Sequence, residues 1–306
     1  MTNTLSTPEF LQKFPTEETV RTFFEARRWA GNPVCGHCES VNVTECKDHR
    51  PMAYRCRDCR KHFSVRTGTI LAESRLPLKT WLLAICMLTS ARKGIPSKQM
   101  ARELRVTKKT AWLLAKRIRE TWLKDQDDHM DGPVQIGETY AGGLERNKHA
   151  DKKLRAGRGT VGKSAVVGGG SSTGGMRAVV VENTKASTLS RFIRQHAKPR
   201  ATIVTDTHGG HIGLSDDSCN QVRINHLASE YVRTTARTSG IESFRSLLKR
   251  GYIRIYHYMS AKHLNRGVKG FLFRHNSAQV GPMDFINMTI ARMDAKRLTY
   301  KELTNA

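Results

Sequence analysis

The stretch CGHCESVNVTECKDHRPMAYRCRDC, residues 35–59, holds two CxxC knuckles, Cys35/Cys38 and Cys56/Cys59, separated by residues 39–55. Each knuckle puts two thiolates on one tight turn, and two knuckles joined by a hairpin can close a tetrahedron around a zinc ion without strain. Five of the seven cysteines of the chain lie in this stretch, and a reducing cytoplasm disfavours disulfides there, so zinc is the expected ligand. Cys46, His37, His49 and His62 have no knuckle spacing and stay outside the ligand set. A ribbon of this size has little apolar core, so the ion should contribute most of its folding free energy. Just upstream, TEETVRTFFEARRW (16–29) sets Val20, Phe23, Phe24 and Trp29 along one helical face, with Thr16 as N-cap. That helix is expected to pack on the ribbon.

Around this element the chain runs to 306 residues, 38% hydrophobic and 26% charged, enough for about two domains with real cores. No run approaches the roughly 18 apolar residues of a membrane span, and the polar start MTNTLSTPEF has neither part of a secretory leader. A cytoplasmic, nucleoid-associated protein is expected. The 52 Lys and Arg against 27 Asp and Glu give a net charge of +25, which predicts attraction to a polyanion, nucleic acid above all.

Charge and helical periodicity coincide between Arg75 and Lys124, where 13 Lys and Arg face 2 acidic residues. LKTWLLAICMLTSA (78–91) reads as a core helix, KGIPSKQMARELRV (93–106) as a second beginning near Ser97, and TKKTAWLLAKRIRETW (107–122) as a third capped by Thr107. The short link from Leu104 to Thr107 suits a helix-turn-helix corner. In such a motif the second helix of the pair enters the major groove by its N-terminus, here presenting Lys108, Lys109, Thr110 and Trp112, with Lys98 and Arg102 nearer the phosphates. A plain basic bundle whose lysines face solvent is the alternative.

A new domain is expected near Pro133. VQIGETYAGG (134–143), SAVVGGG (164–170), MRAVVVEN (176–183) and TIVTD (202–206) read as strands, and ASTLSRFIRQHA (186–197) as an intervening helix, which together imply a mixed α/β sheet. Asp206 ends a strand, where a carboxylate can project into a cleft. GIESFRSLLKRG (240–251) reads as a helix with Ile241, Phe244, Leu247 and Leu248 inward and Glu242, Arg245 and Lys249 sharing another face. Asp206 and Glu242 suit a two-metal phosphoryl-transfer site, with Lys249 placed for a phosphate. The plain alternative is a turn-capping Asp and a solvated Glu.

Several blocks in order, YRCRDCRKHFSVRTGT, KGIPSKQMARELRVTKKTAWLLAKRIRE, ETYAGG, NKHADKKLRAGRGTVGK, TDTHGG and GIESFRSLLKRGYIRIYHYMSAKHLNR, resemble bacterial insertion-sequence transposases of the ISXO-like group over roughly residues 15–300. The resemblance implies an α+β multidomain protein: an N-terminal helix and zinc ribbon (1–72), a helix-turn-helix domain (73–126), a ribonuclease-H-like DDE-type domain (133–280) and a helical tail (281–306). It implies binding to the terminal inverted repeats of a mobile element, cleavage with water, and joining of the freed 3′-hydroxyl to target DNA, using Mg²⁺ or Mn²⁺ held by acids. Pairing of two element ends implies a homo-oligomer on DNA.

Carried over residue by residue, Asp206 matches the second acid of the group. The third position falls on Ser239 or Glu242, and Glu242, with Lys249, is the choice. The first acid, which precedes ETY, is Gly137 here. Neighbouring Glu138 points to the opposite side of the strand and would need a register shift to replace it. Arg237 stands for a usual His, Arg245 for a Trp and Gly267 for a Tyr. Two functions follow: a transposase that cuts and joins, or a non-catalytic DNA-binding protein that occupies element ends, with Gly137 favouring the second.

Overall fold

The computed structural model describes residues 5–46, 48–91, 93–122, 129–143, 148–154, 159–171, 175–206, 220–224, 232–233, 236–237, 239–294 and 297–305. In chain order its elements begin with α1 (Thr7–Lys13), α2 (Glu17–Trp29), β1 (Val43–Glu45), β2 (Tyr54–Cys56) and β3 (His62–Phe63). Next come α3 (Leu78–Ser90), α4 (Ser97–Glu103), α5 (Lys108–Glu120), β4 (Val134–Ala141), β5 (Ser164–Ser171) and β6 (Gly175–Val181). Then follow α6 (Ala186–His196), β7 (Thr202–Asp206), β8 (Asn220–Ile224), β9 (Val232–Arg233) and β10 (Ala236–Arg237). The last are α7 (Ser239–Gly251), α8 (Ala261–Asn276), α9 (Pro282–Ala291) and α10 (Tyr300–Asn305). None of the described helices is long and apolar enough to cross a membrane.

The chain forms two compact units, one made of residues 1–124 and 279–306, the other of residues 125–278. In the first, the Thr16 hydroxyl accepts from the Thr19 N–H at 3.2 Å and starts α2. Glu17, one residue on, caps a different helix: its carboxylate accepts from the N–H groups of Leu78 and Lys79, the latter at 3.0 Å. This matters because α3 begins after Pro77, which has no side chain able to cap it. The far end of α2 carries Trp29, edge-on to Tyr54 at 5.2 Å and to Phe63 at 6.0 Å. The helix therefore packs on the three-stranded antiparallel ribbon β1-β2-β3. Trp81, Leu82, Ile85 and Leu88 of α3 are fully buried.

The C-terminal segment belongs to this same unit. Met293 gives its carbonyl to the Ile70 N–H at 3.1 Å, the Trp122 indole donates to the Thr289 hydroxyl at 3.2 Å, and Arg28 pairs with Asp294 at 2.7 Å.

The second unit is built on one five-stranded sheet of order β6-β5-β4-β7-β8. The β6-β5-β4 pairs are antiparallel and the β4-β7-β8 pairs parallel, which is the ribonuclease-H-like arrangement. The run SAVVGGGS forms β5, buried along its centre, because the sheet is covered on both sides. On one face Leu189, Phe192 and Ile193 of α6 pack against Val134, Ile136, Val167 and Ile203. On the other, Ile241, Phe244 and Leu248 of α7 and Leu264, Val268 and Phe271 of α8 pack against Val166, Met176 and Ala178. Alternation along each strand divides its side chains between these two cores.

Gly168 lets α7 approach closely: a Cβ there would lie 2.8 Å from Cδ1 of Ile241. Strand β8, parallel to β7, has no counterpart in the periodicity reading, since NQVRI is short and holds only two apolar residues, Val222 and Ile224.

Candidate functional site

In the ribbon, the Sγ atoms of Cys35, Cys38, Cys56 and Cys59 all lie within 4.8 Å of one another. Cys35 and Cys59 lie 3.7 Å apart and Cys38 and Cys56 3.6 Å apart. A zinc ion with bonds of about 2.3 Å to four tetrahedral sulfurs spaces those sulfurs by about 3.8 Å, so the set fits. The Cys59 and Asp58 N–H groups outweigh burial and bring the Cys56 thiol down to about 7. At Cys38 the Ser40 N–H pulls downward, but burial and the neighbouring thiols push the value up to about 12. Four thiolates share this space only around a cation. Among the described residues it is the one cluster of three or more His, Cys, Asp and Glu able to hold a metal, and Cys46 stands outside it.

The helix-turn-helix corner is formed by α4, a turn in which Arg105 has φ +52°, and α5. Thr107 accepts from the Thr110 N–H at 3.1 Å and caps α5. Lys98, Arg102, Lys108 and Lys109 are exposed, while Thr110 and Trp112 are half-buried. The Thr110 hydroxyl lies 2.9 Å from that of Thr107, within the cap. Lys109 Nζ sits 3.9 Å from the ring centroid of Tyr300, whose edge also meets Trp112 at 6.0 Å. The C-terminal helix α10 thus covers part of the N-terminal turn of α5. Further along, Lys116, Arg117 and Arg119 are buried. Arg117 donates to the carbonyls of Leu298 at 2.7 Å, Ile70 at 3.3 Å and Ala72 at 3.4 Å, so these cations of the basic run are structural.

In the sheet domain, β4 pairs with β7 through Val134↔Ile203 and Gln135↔Val204. Carried two residues further, the same register sets Gly137 beside Asp206, the last residue of β7. The backbone of Asp206 is described, but its side chain, like those of Ser239 and Arg237, lies outside the described residues, as do residues 207–210 of the TDTHGG block. Helix α7 crosses this point. Gln135 Oε1 accepts from the Ile241 N–H at 3.1 Å and anchors the start of the helix. One turn on, Arg245 reaches down onto the strand.

A Cβ at Gly137 would lie 2.0 Å from Nη2 of Arg245 and 2.6 Å from its Cζ. The guanidinium therefore fills the space of the missing side chain. It also lies 3.9 Å from the Glu138 carboxylate. Two polar atoms here, Arg245 Nε and Thr139 Oγ1, are buried with no hydrogen-bond partner among the described residues. Glu242 and Lys249 are exposed on α7. A magnesium pair does not fit this set as it stands, because the central strand offers a hydrogen atom and a cation where a carboxylate is needed. Sequence reading grouped Arg245 with Glu242 and Lys249. Its signal was a long cation on the helix that crosses a strand glycine, visible only once α7 is laid on β4.

A zinc ribbon and a helix-turn-helix in one unit, with a ribonuclease-H-like sheet in the other, define the DDE-type DNA transposase class. The model of the ISXO2-like transposase domain matches residues 129–276, and that of the transposase zinc-ribbon domain matches residues 15–62. The two together span more than half of the chain, which belongs to the ISXO-like transposase family. A relative, the "Uncharacterized protein in transposable element ISH50" of Halobacterium salinarum, is 25% identical over 251 residues, 78% of this chain and 84% of the relative.

Proposed function

We propose that this protein binds the terminal inverted repeats of an insertion sequence through its ribbon and helix-turn-helix, as a homo-oligomer pairing two ends, and does not cut them. The observation that carries this reading is the Arg245 guanidinium standing in the space of a side chain at Gly137. In the family pattern, that position supplies the first carboxylate of a two-metal site, whose ions activate the attacking oxygen and stabilise the leaving one. Here the ligand is gone and a fixed positive charge takes its place. At about 4 Å and an effective dielectric of about 20, each unit of charge interacts with it by about 4 kcal/mol. A divalent ion is repelled by roughly twice that. Glu138 is a poor substitute, since its carboxylate is already paired with Arg245.

The test is cleavage and joining of an inverted-repeat duplex to target DNA, with Mg²⁺ or Mn²⁺. The native protein is expected to bind the duplex and form no joined product. Gly137→Asp alone is expected to remain inactive, because the new carboxylate pairs with Arg245. Gly137→Asp with Arg245→Trp is expected to gain joining with Asp206 and Glu242 as the remaining ligands. Robust joining by the native protein would sink the non-cutting reading and leave an active transposase.

A further inference from the structure

The ribbon carries a groove of about 410 Å³ lined by Thr44, Cys46, Arg55, Cys56, Arg57 and Arg60. It arises from the register Thr44↔Arg55, which puts both side chains on the solvent face of the sheet, while Tyr54, Cys56 and Phe63 face inward. Arg57 is held in place: its Nε donates to the Thr44 hydroxyl at 2.7 Å and its backbone N–H to the Asn42 carbonyl at 2.9 Å. The terminal nitrogens of its guanidinium take no part in this anchor. Arg60 enters from the second knuckle, where φ is +59°.

The acid of that knuckle, Asp58, is occupied elsewhere, accepting from Ser40 and from the Asn42 amide at 2.9 Å. Among the described residues none of the three arginines has a carboxylate partner. Three guanidinium groups in one groove repel one another unless an anion joins them, and the planar fork of arginine matches two oxygens of a phosphate.

We infer that this groove holds a backbone phosphodiester of duplex DNA, with Arg57 as the pre-oriented contact and Arg55 and Arg60 completing the clamp. The inference rests on the DNA-binding half of the proposed function. The face contacts phosphate and reads no base, so it supplies affinity and register while α5 supplies selectivity.

The test uses the full-length, zinc-loaded protein, an inverted-repeat duplex and an unrelated duplex, with affinity measured across a salt series. R55Q/R57Q/R60Q is expected to lose on the order of tenfold in affinity on both duplexes and to flatten the log-log salt slope by about 1 or more. Zinc content is measured alongside, so that loss of the ribbon fold is seen directly. Thr44→Val keeps every charge and frees Arg57, with a loss of a few-fold expected. Cys46, inside the groove, gives a local readout: duplex should slow its alkylation by iodoacetamide, followed by mass spectrometry.

A zinc-loaded triple variant with an unchanged salt slope, or Cys46 alkylation indifferent to duplex, overturns the inference. Equal protection of Cys46 by polyglutamate overturns it as well. Loss of binding in K98Q/R102Q/K108Q but not in the triple variant places the failure in the groove alone. A native protein that binds neither duplex removes the DNA-binding reading together with the groove.

Discussion

Around Arg245 two residues only make sense together. Glycine at 137 leaves a hole in the middle of a sheet, and the long side chain at 245 closes it. The guanidinium is the mobile end of its side chain, so a small residue at 137 would push it aside at modest cost, whereas its charge would stay. A second residue of this domain sets a pH dependence. His275 lies edge-on to Phe244 at 5.8 Å, and burial holds its imidazole below the ordinary value of 6.5, with a hydrogen bond to Asn276 opposing. A lowered folded pKa means that the unfolded chain binds the proton more readily. This contribution to stability is complete above the unfolded value near 6.5 and is lost as pH falls through the folded one. Urea midpoints at pH 7.5 and 5.5 should therefore show a loss in acid that is smaller in His275→Leu. An identical loss in the variant would remove His275 as the cause.

Helix α5 shows how one element divides its cations between solvent and core. Its start is set by Thr107, whose hydroxyl satisfies the Thr110 N–H. Thr107→Ala should cost about 1 kcal/mol in chemical denaturation of the N-terminal unit, with DNA affinity reduced because Lys108 and Lys109 sit in the first turn. A variant as stable as the native protein would show that packing alone fixes that end. Two turns later the helix turns its basic side chains inward, and Arg117 satisfies three carbonyls from two distant segments. Of the candidate DNA contacts, Lys98 and Arg102 on α4 and Lys108 and Lys109 in the first turn of α5 present exposed charge.

The molecule returns on itself: after the sheet domain, residues 279–306 complete the unit that the first 124 residues begin. Phe285, Ile286, Ile290, Met293, Leu298 and Leu303 are all buried. At about 1.5–3 kcal/mol each, such side chains contribute on the order of 10 kcal/mol before the entropy of ordering them. That is comparable with the roughly 5–15 kcal/mol of a whole domain. Deleting 279–306 should therefore unfold much of the N-terminal unit and abolish duplex binding, while the sheet domain keeps its own transition in calorimetry. Retention of the N-terminal transition in the truncated chain would contradict this account.

Local chemistry was enough for several of these features. The CxxC spacing foretold the four-sulfur cluster because both ligands of a knuckle lie within one turn. Thr16 and Thr107 marked helix starts because a cap bonds within three residues, and TIVTD read correctly as β7 because its apolar residues follow one another. Family blocks supplied the ribonuclease-H-like sheet. Features that depend on residues far apart in the chain were not legible. Strand β8 is short and is defined by its pairing with β7, and Arg117 by carbonyls at Ile70 and Leu298. Arg245 acquired its role only where α7 crosses β4, because a charge fills a vacant site through space and not through sequence. The sequence by itself determined that the opening strand carries a glycine at 137; the tertiary structure decided that the Arg245 guanidinium fills the space beside it.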